Sequence, residues 1–333
     1  MYWHAMAYDR RTLITSVGSA VATGAVLGGV GTAAADGSYT NHTYSGFDYY
    51  RYVPEGVGAG DPLVVMLHGC SQDADQFREE TRMNDVADDE GFAVVYPDQY
   101  NARNALRCWN WYYDYNTTRN SGEADIIADM TEETVDAEDL DDSRVYVAGL
   151  SAGAAMASNL LAEYADVYAA AGIHSGLEYD AADTSYGGTL AMSSGGPDPQ
   201  EKAEDAYDAM EEYGVTSPVP TVVFHGTDDA TVDPTNAHQA AEQAVRTTDL
   251  VENDGDGDTD ADPDETTEGS ADEYDYTTDE YHDGDGDTVV EKWLVEGMGH
   301  AWSGGAPGGE YAAPGGPDAS QRMWDFFEGR TQG

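Results

Sequence analysis

Positive charge is scarce in this chain. Fourteen Lys and Arg stand against 65 Asp and Glu, and only Lys202 and Lys292 are lysines, so the formal net charge is −51. Phosphate binding needs clustered Lys and Arg, which excludes nucleic acid as a partner. Repulsion among so many carboxylates opposes a compact chain at low salt. At about 1 M salt the Debye length falls to roughly 3 Å and most of that repulsion is screened. The composition therefore reads as adaptation to a very saline medium. High net charge can also mean disorder, but 40% of the residues are hydrophobic and they gather in ordered runs. Cysteine is rare too: two of them exclude a disulfide-dense miniature scaffold. Beyond residue 35 no segment offers the roughly 20 strongly apolar residues of a membrane span.

The first 35 residues have the layout of an export signal. Arg10 and Arg11 form a twin-arginine pair, a weakly apolar run follows from Leu13 to Val30, and Ala33 and Ala35 provide an A-x-A cleavage site. The paired arginines point to the twin-arginine route. Cleavage near Ala35 is expected to leave a secreted chain with no membrane association, read as a monomer and as one catalytic domain over residues 36–333.

Short apolar runs then alternate with helical patterns. FDYYRYV at residues 47–53, LVVML at 63–67, FAVVY at 92–96, VYVA at 145–148, residues 169–174, TVVFH at 221–225 and residues 289–295 read as strands. Helices are expected over residues 75–90, 122–139, 152–164, 200–213, 236–245 and 319–328. Solidly apolar strands alternating with helices predict an α/β fold, a mainly parallel sheet with helices on both faces. Residues 251–288 break the pattern with DGDGDTDADPDE and DGDGD. This acidic insertion is expected to be a solvated, partly mobile loop. A calcium-binding reading of it is weak. Counting from Asp254, Thr259 occupies the sixth position, where an EF-hand loop wants Gly, and no Glu closes the loop at the twelfth.

Gly149-Leu150-Ser151-Ala152-Gly153 is a G-x-S-x-G sequence between an apolar strand and an alanine-rich helix. Small residues permit the tight strand-to-helix turn that lifts a serine hydroxyl above a sheet, with a helix N-terminus beneath it. A serine needs a base held by an acid, and in such folds the order is Ser, acid, His. Asp228, Asp229 and Asp233 all follow the TVVFH strand and compete for the acid role. His300, flanked by glycines after the last strand, is the candidate base. His68, His174 and His225 end strands and are read as packing or hydrogen-bonding residues. An oxyanion needs two N–H donors; the amides of Ala152 and Cys70 are the candidates.

Together LHGCSQDADQF, VVYPDQ, CWNW, RVYVAGLSAGAAM, HGTDDATVDPTNA and GMGHAWSGG resemble the polyhydroxybutyrate depolymerase-type esterases, which are similar to feruloyl and acetylxylan esterases. The resemblance runs from about Tyr49 onward, leaving out the acidic insertion, and implies the α/β-hydrolase fold. It implies Asp229 as the triad acid with Ser151 and His300, Cys70 in the oxyanion hole, an ester or polyester substrate, and no metal or cofactor. Cys70 and Cys108 both lie in family motifs, and in an exported chain are expected to form a disulfide. Trp302, Trp109 and Trp111 are candidate substrate contacts. Where the family has GLSAGG, this chain has Ala154. Some family members carry a separate polymer-binding domain; none is expected here. The expected activity is hydrolysis of short hydroxyalkanoate esters or amorphous polyester through an acyl-enzyme. The alternatives are a feruloyl or acetylxylan esterase and a non-catalytic, calcium-binding surface protein.

Overall fold

A computed structural model describes residues 37–332 apart from 254, 256 and 258. The export signal and the DGDGD run at 254–258 lie outside or partly outside these residues.

The chain opens with an antiparallel pair, β1 (Ser38–Tyr44) and β2 (Phe47–Val53), then enters β3 (Leu63–Leu67). Helices α1 (Ala74–Thr81) and α2 (Met83–Glu90) lead to β4 (Ala93–Pro97). The short α3 (Asp114–Thr117) and the long α4 (Gly122–Glu138) precede β5 (Val145–Leu150). Then come α5 (Ala152–Glu163), β6 (Ala170–His174), α6 (Ser185–Ser194), α7 (Pro199–Glu212), β7 (Thr221–Gly226) and α8 (Thr235–Asn253). Strands β8 (Glu265–Ser270), β9 (Asp275–His282) and β10 (Thr288–Val295) follow, and α9 (Ala319–Phe327) closes the chain.

The sheet order is β1-β2-β4-β3-β5-β6-β7-β10-β9-β8. The central six strands pair in parallel and the outer two on each side are antiparallel. Alternation along β3 splits the core. Val65 and Leu67 join the layer under α4, α5 and α8, with Ile127, Ala155 and Val245. Val64 and Met66 join the layer under α1, α2 and α9, with Phe77, Val86 and Met323. Strand order reverses between β3 and β5, because β4 lies on one side of β3 and β5 on the other. Sheets of this kind bind ligands beyond the carboxyl ends of the strands at such a reversal.

Two expectations need correction. The single helix over residues 75–90 is two helices, broken where Arg82 takes a left-handed φ of 57°. The acidic insertion is not an irregular loop: α8 runs on to Asn253, and β8 and β9 extend the sheet beyond β10. Threonine and tyrosine in ETTEGS and DYTTDEYH suit a pleated surface, and Lys292 ties β10 to Asp279, its partner on β9, at 3.0 Å. The exposed, acid-bearing β8 makes a poor template for a further strand.

Glu178, in the connection between β6 and α6, is buried with no hydrogen-bond partner for either carboxyl oxygen. Burial pushes its pKa up to about 8. The folded chain therefore keeps a proton that the unfolded chain releases near about pH 4.3, and stability should fall as pH rises from there to about 8. Glu178→Gln should flatten this dependence in denaturant titrations between about pH 5 and about pH 9. Identical pH slopes for variant and parent would show that the carboxyl is solvated.

Candidate active site

The turn from β5 into α5 is set by close backbone approach. A Cβ on Gly153 would stand 2.0 Å from the Leu67 carbonyl oxygen, and one on Gly149 would stand 2.4 Å from the Gly153 carbonyl carbon. Only glycine at both positions lets α5 start directly behind the end of β3. Ser151, between them, has φ 56° and ψ −119°, a conformation that non-glycine residues hold only when the surroundings enforce it. Its amide donates to the His174 carbonyl at 2.9 Å. The departure at Ala154 is accommodated by Gly176, where a Cβ would come within 2.5 Å of the Ala154 methyl.

The imidazole arrives from the turn after β10. Gly226, at the end of β7, lets that turn pass, since a Cβ there would meet the Met298 carbonyl oxygen at 2.2 Å. The Asp228 amide donates to Met298 O at 3.0 Å, and the Gly297 amide to Thr227 Oγ1 at 2.8 Å. These bonds place His300 over Asp229, with Nδ1 2.7 Å from Asp229 Oδ2. Of the three competing acids, Asp228 is exposed and Asp233 receives the Thr235 amide at the start of α8. Asp229 alone is buried and meets the histidine.

Asp229 is held as a carboxylate. Burial opposes its ionisation. That effect is outweighed by hydrogen bonds from His225 and His300, by the charge of His300 when protonated, and by the Val232 amide, so its pKa lies well below the ordinary range. Oδ1 accepts from the Thr231 and Val232 amides at 2.8 and 2.9 Å. His225 Nε2 lies 2.9 Å from Val232 O and 3.4 Å from Asp229 Oδ2. With Nδ1–H directed at the carboxylate, His300 Nε2 is left free to accept a proton.

A cleft of about 180 Å³ is lined by Gly69, Cys70, Ser151, Met192, His300 and Tyr311, among others. It holds the hydroxyl and the imidazole together, although no direct Ser151–His300 hydrogen bond forms among the described residues; catalytic hydrogen bonds of this kind often tighten only when substrate is bound. In the loop after β3, the Gly69 amide donates to Gln72 Oε1 at 2.8 Å, Ser71 to Leu106 O at 2.6 Å, and Gln72 to Gly69 O at 3.4 Å. Among the described residues the Cys70 amide has no acceptor, and Ala152 sits at the start of α5, where helix N–H groups are unpaired.

Composition and spacing gave no signal for the residues that hold this loop. Glu80 accepts from Gln72 Nε2 at 2.7 Å and from the Glu310 amide at 2.7 Å, linking the Cys70 loop to the segment carrying Tyr311. Glu123 accepts from the Asn110 amide at 2.7 Å and from Gln99 Nε2 at 2.7 Å, anchoring the CWNW segment. The Cys70–Cys108 disulfide joins the two segments directly.

The three tryptophans do not line the cleft. Trp302 is fully buried, stacked on His174 at 4.8 Å and edge-on to Phe77, with Nε1 donating to Ser320 Oγ at 3.1 Å. Trp109 stacks on Phe47, and Trp111 packs beneath Gly188 of α6. A wide ring next to a glycine-rich turn supports that turn from the core, which is why Trp302 fills the interior behind His300. The strand-end histidines are framework groups. His68 Nε2 accepts the Gln99 amide at 3.0 Å, and burial lowers its pKa to about 4. His174 Nε2 accepts the Ser303 amide at 3.0 Å.

Residues 47–267 match the model of the family described as Esterase PHB depolymerase. The chain belongs to that family. Poly(3-hydroxyalkanoate) depolymerase C of Paucimonas lemoignei is 33% identical over 75% of this chain and 57% of its own length. The present chain thus spans little more than half of that relative. Feruloyl esterase B of Thermothelomyces thermophilus is 31% identical over 58% of this chain and 68% of its own length. In three dimensions, an acetyl xylan esterase from Aspergillus awamori superposes with a TM-score of 0.68 at 23% identity, covering 87% of this chain and 99% of its own. The fold of this family member is that of the α/β-hydrolases.

The loop closed by the disulfide spans 38 residues, and the cross-link is worth about 4 kcal/mol by loop-closure entropy. Denatured, unreduced protein should show no reactive thiol, and reduction should lower the melting temperature by several degrees while releasing two. Two thiols titrating before reduction would refute the bridge.

Proposed function

We propose that the chain is an exported serine esterase that hydrolyses short-chain hydroxyalkanoate esters, their oligomers or amorphous polyester through an acyl-enzyme. The observation that carries this reading is the 2.7 Å contact of His300 with a buried Asp229 at one side of the cleft that holds Ser151. His300 Nε2 takes the Ser151 proton as Oγ attacks the ester carbonyl, and Asp229 holds the tautomer and balances the imidazolium. The tetrahedral oxyanion receives the Cys70 and Ala152 amides. The alkoxide leaves with the proton from His300. Water, activated by the same imidazole, then releases the acid and restores Ser151. Export by the twin-arginine route rests on Arg10 and Arg11, and operation in concentrated salt rests on the net charge of −51.

The second reading, removal of acetyl or feruloyl groups from plant polysaccharide, is favoured by the feruloyl esterase B match and the acetyl xylan esterase superposition. Purified chain in molar salt, offered polyhydroxybutyrate, feruloyl esters and acetylated xylan side by side, separates the two. Ser151→Ala should abolish hydrolysis of all esters with the fold intact, and full activity in that variant would sink the mechanism. Asp229→Asn should lower kcat by about four orders of magnitude, because His300 then adopts the wrong tautomer. Gln72→Ala should lower kcat with little change in KM, because it releases the Gly69 amide and loosens the loop bearing Cys70. A KM effect alone would place Gln72 in ground-state binding.

A further inference from the structure

The large hydrophobic side chains that face solvent are not spread over the surface. Leu106, Tyr113, Tyr115, Tyr186, Leu190 and Tyr213 are the exposed ones among the described residues. Five of these six lie in two segments that meet beside the cleft. Residues 106–115 adjoin the Cys70 loop, with the Ser71 amide on Leu106 O at 2.6 Å. Helix α6 carries Tyr186 and Leu190 one turn apart on its outer face, and Met192, two residues on, lines the cleft with Ser151 and His300. The two segments pack on each other, since a Cβ at Gly188 would meet the Trp111 ring at 3.1 Å and Tyr112 Cβ at 3.2 Å.

Charge has the same distribution in reverse. Residues 184–197 contain no Asp, Glu, Lys or Arg, and neither do residues 297–309, which bear His300. Residues 99–122 contain a single acid, Asp114, and three arginines, Arg103, Arg107 and Arg119. Acidic residues outnumber basic ones more than fourfold over the whole chain, yet all three stretches around the cleft escape that bias. Adaptation to salt alone gives no reason to spare one face. A surface that must lie against something uncharged and poorly hydrated does.

We propose that Tyr186, Leu190, Tyr113, Tyr115 and Leu106 form a docking face for the surface of a neutral, water-insoluble aliphatic polyester, continuous with the cleft and delivering chain segments to Ser151. This rests on the esterase reading of the cleft. An uncharged polyester is matched by an apolar rim nearly free of acids, whereas an acidic polymer would be repelled by the surrounding carboxylates. Apolar contact of this kind is retained in concentrated salt, where electrostatic adsorption is screened within roughly 3 Å.

The test uses the full chain carrying Ser151→Ala, in molar salt, and measures depletion from solution by polyhydroxybutyrate particles and by insoluble acetylated xylan. Adding Tyr186→Ser with Leu190→Ser, or separately Tyr115→Ser, changes exposed side chains only. Each should weaken polyester adsorption, the double change by about tenfold, the loss expected when two partly buried apolar contacts are removed. In the Ser151 background the same variants should hydrolyse a soluble p-nitrophenyl butyrate at the parent's rate and lose polyester hydrolysis. Adsorption equal to the parent's in both variants overturns the docking face, as does retention on acetylated xylan in preference to polyester. A parent chain that hydrolyses no soluble ester counts against the catalytic reading instead, and the adsorption comparison, made without catalysis, still decides the surface.

Discussion

The structure depends on one close approach, that of Gly153 to the carbonyl oxygen of Leu67. A methyl group there would sit inside van der Waals contact with backbone on the neighbouring strand, and backbone in a parallel sheet has nowhere to move. With glycine at 153, α5 begins immediately behind β3, and the ends of β3 and β5 lie side by side. That adjacency brings Cys70 and Ser151 to the wall of one cleft. It also forces Ser151 into its left-handed backbone geometry, a cost that the surrounding sheet, fully buried on β3, β5 and β6, is rigid enough to bear. Chemistry and packing here are one constraint: the turn that exposes the hydroxyl is the turn that lets the helix cover the sheet.

A second constraint comes from charge. With 14 basic residues the chain cannot pair most of its carboxylates, and several of the few cations join one element to another. Lys292 holds β10 to Asp279 of β9, Lys202 links α7 to Asp180, and Arg51 on β2 reaches Glu133 and Glu138 of α4. Exposed ion pairs are individually weak and weaken further in salt. Pairs such as that of Lys292, partly withdrawn from water, are screened less.

The central strands were legible because their burial on both faces leaves a continuous apolar run, as at residues 63–67, which coincide with β3. The turn around Ser151 was legible because Gly149 and Gly153 are demanded by backbone contact, a requirement that survives any change in surface composition. The acidic insertion was misread for the opposite reason. On an edge strand the polar face looks to solvent and the chain's acid bias overwrites it, so ETTEGS shows no alternation of apolar and polar residues although it pairs along its whole length with β9. Trp302 was misplaced because proximity in sequence to a histidine says nothing about which side of the turn a ring occupies. The roles of Glu80 and Glu123 could not be read at all. In a chain with 65 acids, two buried ones that collect backbone amides look like all the rest until their partners are seen.

Those two glutamates add a polar fastening to segments whose tryptophans, Trp109, Trp111 and Trp302, are already buried in the core. The rest of these segments is rich in glycine and asparagine and carries apolar groups outward. Each is also tied from beneath. Glu80 receives amides of the segment carrying Tyr311 and fixes Gln72, Glu123 receives the Asn110 amide, and the Cys70–Cys108 bridge joins the two sides. Buried carboxylates that accept backbone N–H groups form charge-assisted hydrogen bonds, stronger than neutral ones and directional enough to set a loop's position. Buried glutamates thereby serve as fastenings for the least acidic part of the surface, leaving the outward faces of those loops free to be apolar.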